Sequence, residues 1–317
     1  MIANHFASDT VTDDRVGSGH KVLAVALAGA PNAGKSTLLN TLIGQKLAIV
    51  TKKVQTTRQN LRGILNIKET QLIFIDTPGL FNKKKCNNLE KHILRNAWNG
   101  IDQADLTTFI IDENDLSAEL SIDRVVDTMH KVFFRCPHKE ILVVINKIDK
   151  CNYGDYLKKV ASLERSMNEK ISGKYTIFNI SAMNGSGVDN FVQYLISKAV
   201  DGPWFFDENM YTTSTEREIA EEATREKLYF LLQRELPYSI KVETEKWEEK
   251  EDDSIAIHHT IFVLKESQKM IIIGKGGKMI KKVGQLARDD ISQKLHKKVH
   301  LFLFIKVRDN WIDKLES

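Results

Sequence analysis

Residues 22–36 read VLAVALAGAPNAGKS, an apolar run that ends on a glycine and passes directly into G-x-x-x-x-G-K-S. Seven apolar residues without polar alternation are the pattern of a strand buried on both faces, so the run predicts a central strand of a parallel sheet. Gly29, Ala30, Pro31, Asn32, Ala33, Gly34, Lys35 and Ser36 then form a phosphate loop, and Thr37 to Ile43 is the helix it opens. The glycines let backbone N–H groups turn toward a phosphate chain, where the helix N-terminus adds its dipole. Lys35 is expected to neutralise β- and γ-phosphates, Ser36 to ligate Mg2+, and Thr37 to line the same site.

Outward from this stretch the same alternation continues. Leu72–Ile75, Phe109–Ile111, Ile141–Ile145 and Tyr175–Phe178 read as further buried strands, with helices such as Asn88–Asn99 and Asp155–Lys170 between them. The order predicts an α/β doubly wound domain with a mostly parallel sheet over residues 21–202. Three of the later strands end on motifs. Asp76-Thr77-Pro78-Gly79 closes the second, where a carboxylate can reach the metal and the Gly79 N–H the γ-phosphate. Asn146-Lys147-Ile148-Asp149 closes ILVVI. A carboxylate there accepts from both N1–H and the exocyclic amine of guanine, donors that adenine lacks, so the pocket selects GTP over ATP. Asn146 is expected to tie the loops together and Lys147 to lie along the base. Ser181-Ala182 follows the last strand, with the Ala182 N–H expected to face the guanine carbonyl.

Bulk properties bound the rest. A chain of 317 residues is long enough for two domains, and its net charge of +4 is compatible with an anionic partner. Three separated cysteines support neither a zinc site nor a disulfide framework, and they point to a reducing compartment. No apolar run is long enough to span a bilayer, and the first 20 residues lack a signal-like apolar stretch. They read as a disordered lead-in, and the cytoplasm is the expected location.

Residues 203–215 are polar enough to read as a linker, and residues 216–317 predict a second, α+β domain. A helix begins at Glu216, strands follow near Ser239–Glu245 and Ala256–Leu264, then two helices on either side of Gly284 and a last strand, Val299–Val307. Gly274-Lys275-Gly276-Gly277 is a G-x-x-G loop between helical segments. In KH domains such a loop sets backbone and lysine against the sugar-phosphate of about four nucleotides. Lys275, Lys278, Lys281 and Lys282 would supply charge, and residues 265–299 hold ten basic residues against Glu266, Asp289 and Asp290. The α-β-β-α-α-β order is the type II arrangement. The acidic stretch Glu243–Asp253 is expected in the connection between strands. Leu228, Phe230, Leu231, Leu232 and the run Leu301–Ile305 are expected in the core, and Trp247 and Trp311 to pack rather than stack on bases.

On these residues the first two-thirds of the chain resembles the translation-factor-related bacterial GTPases of the TrmE–Era branch. The resemblance makes Gln55-Thr-Thr-Arg58 the first switch, with Thr56 or Thr57 closing on Mg2+ and the γ-phosphate. It also exposes a departure from Ras-like proteins: Leu80 stands where they carry a catalytic glutamine. Hydrolysis would then rest on backbone groups, a potassium ion or a partner, with slow intrinsic turnover. From about Lys21 to Trp311, including Glu235-Leu-Pro-Tyr238, the chain resembles the members of that branch that end in a type II KH domain. That implies a GTPase that binds the 3′ region of small-subunit (16S) rRNA and assists 30S ribosomal subunit assembly, as a monomer, with peripheral inner-membrane contact admitted. The lysines Lys83–Lys85 and the lead-in are outside that pattern. A relative that modifies tRNA would need a near-terminal cysteine motif, and no cysteine follows Cys151. A small-molecule kinase is disfavoured by Asn146 and Asp149, and an RNA chaperone that uses GTP only for shape is the remaining competitor.

Overall fold

The structure is a computed structural model describing residues 19–50, 57–81, 86–137, 140–171, 175–232, 236 and 240–308. Thr56, Lys83–Lys85, Glu235, Pro237, Tyr238, Trp311 and residues 1–18 of the lead-in lie outside the described residues. The chain forms two compact units, which divide after Thr213.

In the first unit β1 (Lys21–Gly29), β3 (Thr70–Asp76), β4 (Leu106–Asp112), β5 (Ile141–Asn146) and β6 (Tyr175–Asn179) are parallel neighbours. β2 (Leu61–Ile67) adds an antiparallel edge to β3, giving the order β2-β3-β1-β4-β5-β6. β7 (Val200–Asp201) pairs with the start of β1. The inner strands are apolar on both sides because helices cover both faces. Ala26, Ala28, Phe109 and Val143 pack toward α2 (Asn88–Gln103), α3 (Glu119–Arg135) and α4 (Tyr153–Lys170). Val25, Leu27, Phe74 and Val144 pack toward α1 (Lys35–Ile43) and α5 (Val188–Lys198). α2 starts in a reciprocal capping box of Asn87 and Glu90, which satisfies two otherwise orphaned N–H groups. The stretch after β7 is bonded along β2 and β3. Trp204 Nε1 donates to Glu69 O at 3.0 Å and Asn66 Nδ2 to Glu208 O at 2.7 Å. Ile64 N donates to Tyr211 O at 2.9 Å, and Thr212 Oγ1 to Arg62 O at 2.7 Å. Phe206 is buried among Val22, Ala24, Ile64 and Ile73.

The second unit is α6 (Glu216–Leu231), β8 (Lys241–Glu249), β9 (Ile255–Val263), α7 (Glu266–Ile273), α8 (Lys278–Leu295) and β10 (Val299–Val307). β9 is central, antiparallel to β8 and parallel to β10. Among the described residues, helices cover one face only. Ala223, Leu228, Val283 and Ala287 pack on Ile257 and Ile261 there.

That single-sided cover corrects several expectations. Phe230 is 58% exposed, in the last turn of α6, at the margin of the stripe that carries Ala220, Ala223, Thr224 and Leu228. Phe302 and Phe304, at 46% and 48%, point away from the helices and stack beside His258 instead of entering the core. Leu232 is buried, and Leu231, Leu303 and Ile305 are half-buried against the same core. Glu243–Glu249 belong to β8 rather than to a connection, because an edge strand open to water accepts charge on its uncovered side. Gly284 sits inside α8, and the break between the two helices falls at the Gly274–Gly277 loop. Trp247 packs against the core near Ile255 and Ile257. Among the described residues, no helix is long and apolar enough to cross a membrane.

Candidate functional site

Four loops from the carboxyl ends of β1, β3, β5 and β6 meet at one edge of the first unit, where ligands bind in open α/β sheets. The first wraps from Gly29 to Gly34 into α1. Asn32 and Gly34 take positive φ (65° and 100°), and a Cβ on Gly34 would stand 2.1 Å from Asn146 Nδ2, so only glycine fits. Ala33 is buried, Pro31 half-buried and Asn32 exposed. The buried Lys35 ammonium donates to Ala30 O at 2.7 Å and Gly29 O at 3.2 Å, which curls it back over the loop it serves. Burial pushes its pKa down to about 8, against the opposing pull of Asp76.

Ser36, Thr57 and Asp76 form one corner. Ser36 Oγ donates to Asp76 Oδ2 at 2.7 Å, Thr57 Oγ1 to the same oxygen at 3.2 Å, and the two hydroxyls are 3.0 Å apart. Asp76 Oδ1 is buried without a hydrogen-bond partner among the described residues. Burial raises Asp76 to about 6, with Lys35 and both hydroxyls pulling the other way. Oxygen-only donors around an unsatisfied carboxylate oxygen suit a hard divalent cation such as Mg2+.

Thr77 anchors the loop after β3 by donating its hydroxyl to Leu27 O at 2.8 Å, and Leu80 N reaches Gly29 O at 2.9 Å. Pro78 and Gly79 are buried between them, and a Cβ on Gly79 would meet Pro31 N at 2.7 Å. The Leu80 side chain is buried in the core beside Ile75 and Ile101. It has no polar atom and faces away from solvent, so it orients no water.

At the other end the Asn146 amide ties three loops of the frame together. Nδ2 donates to Ala33 O at 2.8 Å, and Oδ1 accepts from Lys147 N at 2.8 Å and Ala182 N at 2.9 Å. The Ala182 N–H, expected to face guanine, is therefore held by Asn146 in this structure. Ser181 Oγ donates to Asp149 Oδ1 at 2.6 Å. Ile148 packs against the core and Asp149 stays exposed. Lys147 crosses to Asn32 O at 2.8 Å and pairs with Asp112. Sequence reasoning missed Asp112, whose only signal is its place at the end of β4. It also missed Thr41, which donates to Ala182 O at 2.6 Å from α1. Thr37 lies half-buried in the first turn of that helix.

In the second unit Gly274 closes α7 with φ 71°, and its missing Cβ would stand 2.6 Å from Met279 Cβ. Gly276 and Gly277 also take positive φ, yet open space surrounds them. All three glycines take positive φ: Gly274, at φ 71° and ψ 172° with Met279 against it, admits no side chain, while Gly276 and Gly277 lie in the left-handed helical region. Lys275, Lys278, Lys281 and Lys282 are all exposed, and none pairs with an acid among the described residues.

A phosphate loop on β1, an acidic turn on β3 and the Asn146–Asp149 loop on β5 define a P-loop GTPase domain, here joined to a KH domain of type II. Residues 24–147 match a family described as a 50S ribosome-binding GTPase, and residues 235–312 match the KH domain. The GTPase Era of Mesorhizobium japonicum is 43% identical over 293 residues, covering 92% of this chain and 90% of that protein. That of Agrobacterium fabrum is also 43% identical, over 92% of this chain and 88% of its own. Among solved structures, Era in complex with MgGDPNP and nucleotides 1506–1542 of 16S ribosomal RNA superposes with a TM-score of 0.85 at 34% identity. The match covers 94% of this chain and 97% of that one. A variant of Aquifex aeolicus Era bound to GDP.AlF4- gives 0.84 at 34%, over 93% and 97%. The chain belongs to the Era family of GTPases.

Proposed function

We propose that this GTPase is a nucleotide-controlled RNA switch that binds the 3′ region of 16S rRNA and assists assembly of the 30S subunit. The observation that carries the reading is the pairing, in one chain, of a guanine site with a G-x-x-G loop carrying and flanked by four exposed lysines. Its relative's complex with MgGDPNP and 16S rRNA nucleotides supports it.

Gly29–Thr37 cradle the phosphates through backbone N–H groups, and the Lys35 ammonium exchanges its loop carbonyls for phosphate oxygens. Ser36, Asp76 and one of Thr56 and Thr57 would hold Mg2+, which when bound draws charge from the β- and γ-phosphate oxygens. The Gly79 N–H serves the γ-phosphate, while Asp149, aligned by Ser181, selects guanine. Asn146, Lys147, Ile148 and Ala182 complete that pocket. With Leu80 buried, aligning the water would fall to backbone groups, a potassium ion or a partner, and intrinsic turnover would be slow. Gly274, Lys275, Gly276, Gly277, Lys278, Lys281 and Lys282 hold the RNA backbone. The functional division falls within 203–215, and the chain acts as a cytoplasmic monomer. The basic residues of 265–299 support peripheral contact with an anionic membrane as well.

The test is filter binding to an RNA copying the 3′ end of 16S rRNA, with GDP and with a non-hydrolysable GTP analogue, at two salt concentrations. Tighter binding with the analogue is expected. Equal, weak and wholly salt-driven binding in both states would overturn the reading.

A further inference from the structure

Thr57 stands at the corner made with Ser36 and Asp76, and the three residues after it are held to α2 by two asparagines. Asn60 Nδ2 donates to the Asn96 carbonyl at 2.9 Å, and Asn96 Nδ2 donates to the Arg58 carbonyl at 2.9 Å. Each side chain thus reaches the backbone of the other's segment, and the two bonds together fix both position and direction. Asn96 Nδ2 also lies 3.2 Å from His92 Nε2, one turn earlier on the same helix.

The bracket closes tightly because of Gly100. One turn beyond Asn96, a Cβ at that position would stand 2.7 Å from Thr77 Cγ2 and 2.9 Å from both terminal atoms of Asn60. Three pieces of chain therefore meet at one point: the segment leaving Thr57, the turn holding Asp76 and Thr77, and α2. The Arg58 carbonyl is one residue from Thr57, so its placement constrains where the Thr57 hydroxyl can lie. A water-solvated loop would leave that hydroxyl free to rotate away at little cost. Two hydrogen bonds from side-chain amides to backbone carbonyls remove that freedom.

Building on the nucleotide-site reading above, we propose that Asn96 and Asn60 are positioning residues for GTP hydrolysis. Asn96 fixes the Arg58 carbonyl, Asn60 anchors the same segment to the Asn96 carbonyl, and together they place the Thr57 hydroxyl beside Ser36 and Asp76. The placement of α2 thereby sets the geometry of the corner that would receive the metal. Neither asparagine touches nucleotide. Both act through Thr57.

The experiment compares the full chain with Asn96→Ala, Asn96→Asp, Asn60→Ala and the double alanine variant. GTP hydrolysis is measured across a Mg2+ titration. Release of fluorescent GDP and of a fluorescent non-hydrolysable GTP analogue is followed with and without Mg2+, and thermal melting is recorded alongside. Each alanine variant is expected to lower kcat by about fivefold, the loss of one net hydrogen bond. The Mg2+ needed for half-maximal rate should rise, and Mg2+ should slow analogue release less than in the wild type. The KM for GTP, Mg2+-free release and the melting temperature should be nearly unchanged. The double variant should fall short of the product of the singles, because both bonds hold one segment. Asn96→Asp has the same shape but turns a carboxylate toward the Arg58 carbonyl, so it should be worse than alanine. Wild-type kcat and Mg2+ dependence in the variants would overturn the proposal. So would an Asp variant that matches the wild type, or a fall in kcat mirrored by equal losses in GDP affinity and melting temperature. A wild-type chain that hydrolyses no GTP would remove the reading beneath it instead.

Discussion

The Ser181 hydroxyl donates to the Asp149 carboxylate at 2.6 Å, joining the loop after β6 to the loop after β5. Asp149 is exposed, so without this bond its carboxylate would sample several rotamers. A hydrogen bond to a charged group is worth more than a neutral one. Ser181→Ala should weaken GTP and GDP equally, by about tenfold, as measured by nucleotide titration. The kcat at saturating GTP should hold, because the bond concerns the base and not the phosphates.

Gly79 presses on the phosphate loop, where a Cβ would meet Pro31 N and Cα at 2.7 and 2.8 Å. Backbone cannot yield as a flexible side chain does, so Gly79→Ala displaces the acidic turn from the γ-phosphate position. Hydrolysis should fall on the order of 10²-fold, the scale of an ångström-level misplacement. GDP binding should be affected far less, which a comparison of GDP and GTP-analogue affinities would show.

At the KH loop, Gly276 takes φ 60° with nothing within 4 Å of its missing Cβ. Aspartate tolerates that conformation better than most side chains, so Gly276→Asp should fold while setting a negative charge against the RNA backbone. Filter binding should show nearly complete loss. Single Lys275→Ala and Lys278→Ala changes should instead lower affinity evenly across RNA sequences. Each should reduce the salt slope by about 0.7, the value for one phosphate contact on a single strand.

His259 is fully buried under α6, with Nδ1 2.9 Å from the Thr224 hydroxyl. Burial lowers its pKa from 6.5 to about 4. The folded state therefore prefers the neutral ring, and between those values the unfolded chain binds more protons. Stability from this group is complete above about pH 6.5 and declines as pH falls toward 4, by roughly 3 kcal/mol in all. Melting the full chain at pH 7 and pH 5 should show a drop that His259→Gln reduces.

What could be read from the sequence was what lies close together in it. The phosphate loop needs eight consecutive residues and the guanine motif four, so spacing alone carried both. The brackets that hold them do not work that way. Asn96 meets Arg58 across 38 positions and Thr41 meets Ala182 across 141, and no local pattern announces either contact. β2 escaped notice because an edge strand mixes Gly63, Asn66 and polar neighbours with its apolar residues. The run Leu301–Ile305 shows the opposite limit. Five apolar residues look like a strand covered on both faces, yet helices cover only one, and Phe302 and Phe304 are left outside. Hydrophobicity records what a residue tolerates, while the number of layers decides what it receives.

The stretch from Trp204 to Thr212 bears on how the molecule can be divided. Gln71 is wholly buried, and its amide is satisfied by that stretch, accepting from Phe205 N and Phe206 N and donating to Phe206 O at 2.8 Å. A chain ending at Gly202 would strip these partners away and bare the outer edge of β2, whose Ile64 N–H now meets Tyr211 O. An open edge with unpaired N–H groups is a template for a second copy. Such a fragment should self-associate in a concentration-dependent way on gel filtration, whereas one ending at Thr213 should elute as a single monomeric peak. The segment that leads out of the nucleotide-binding unit is also the guard that keeps its sheet from growing.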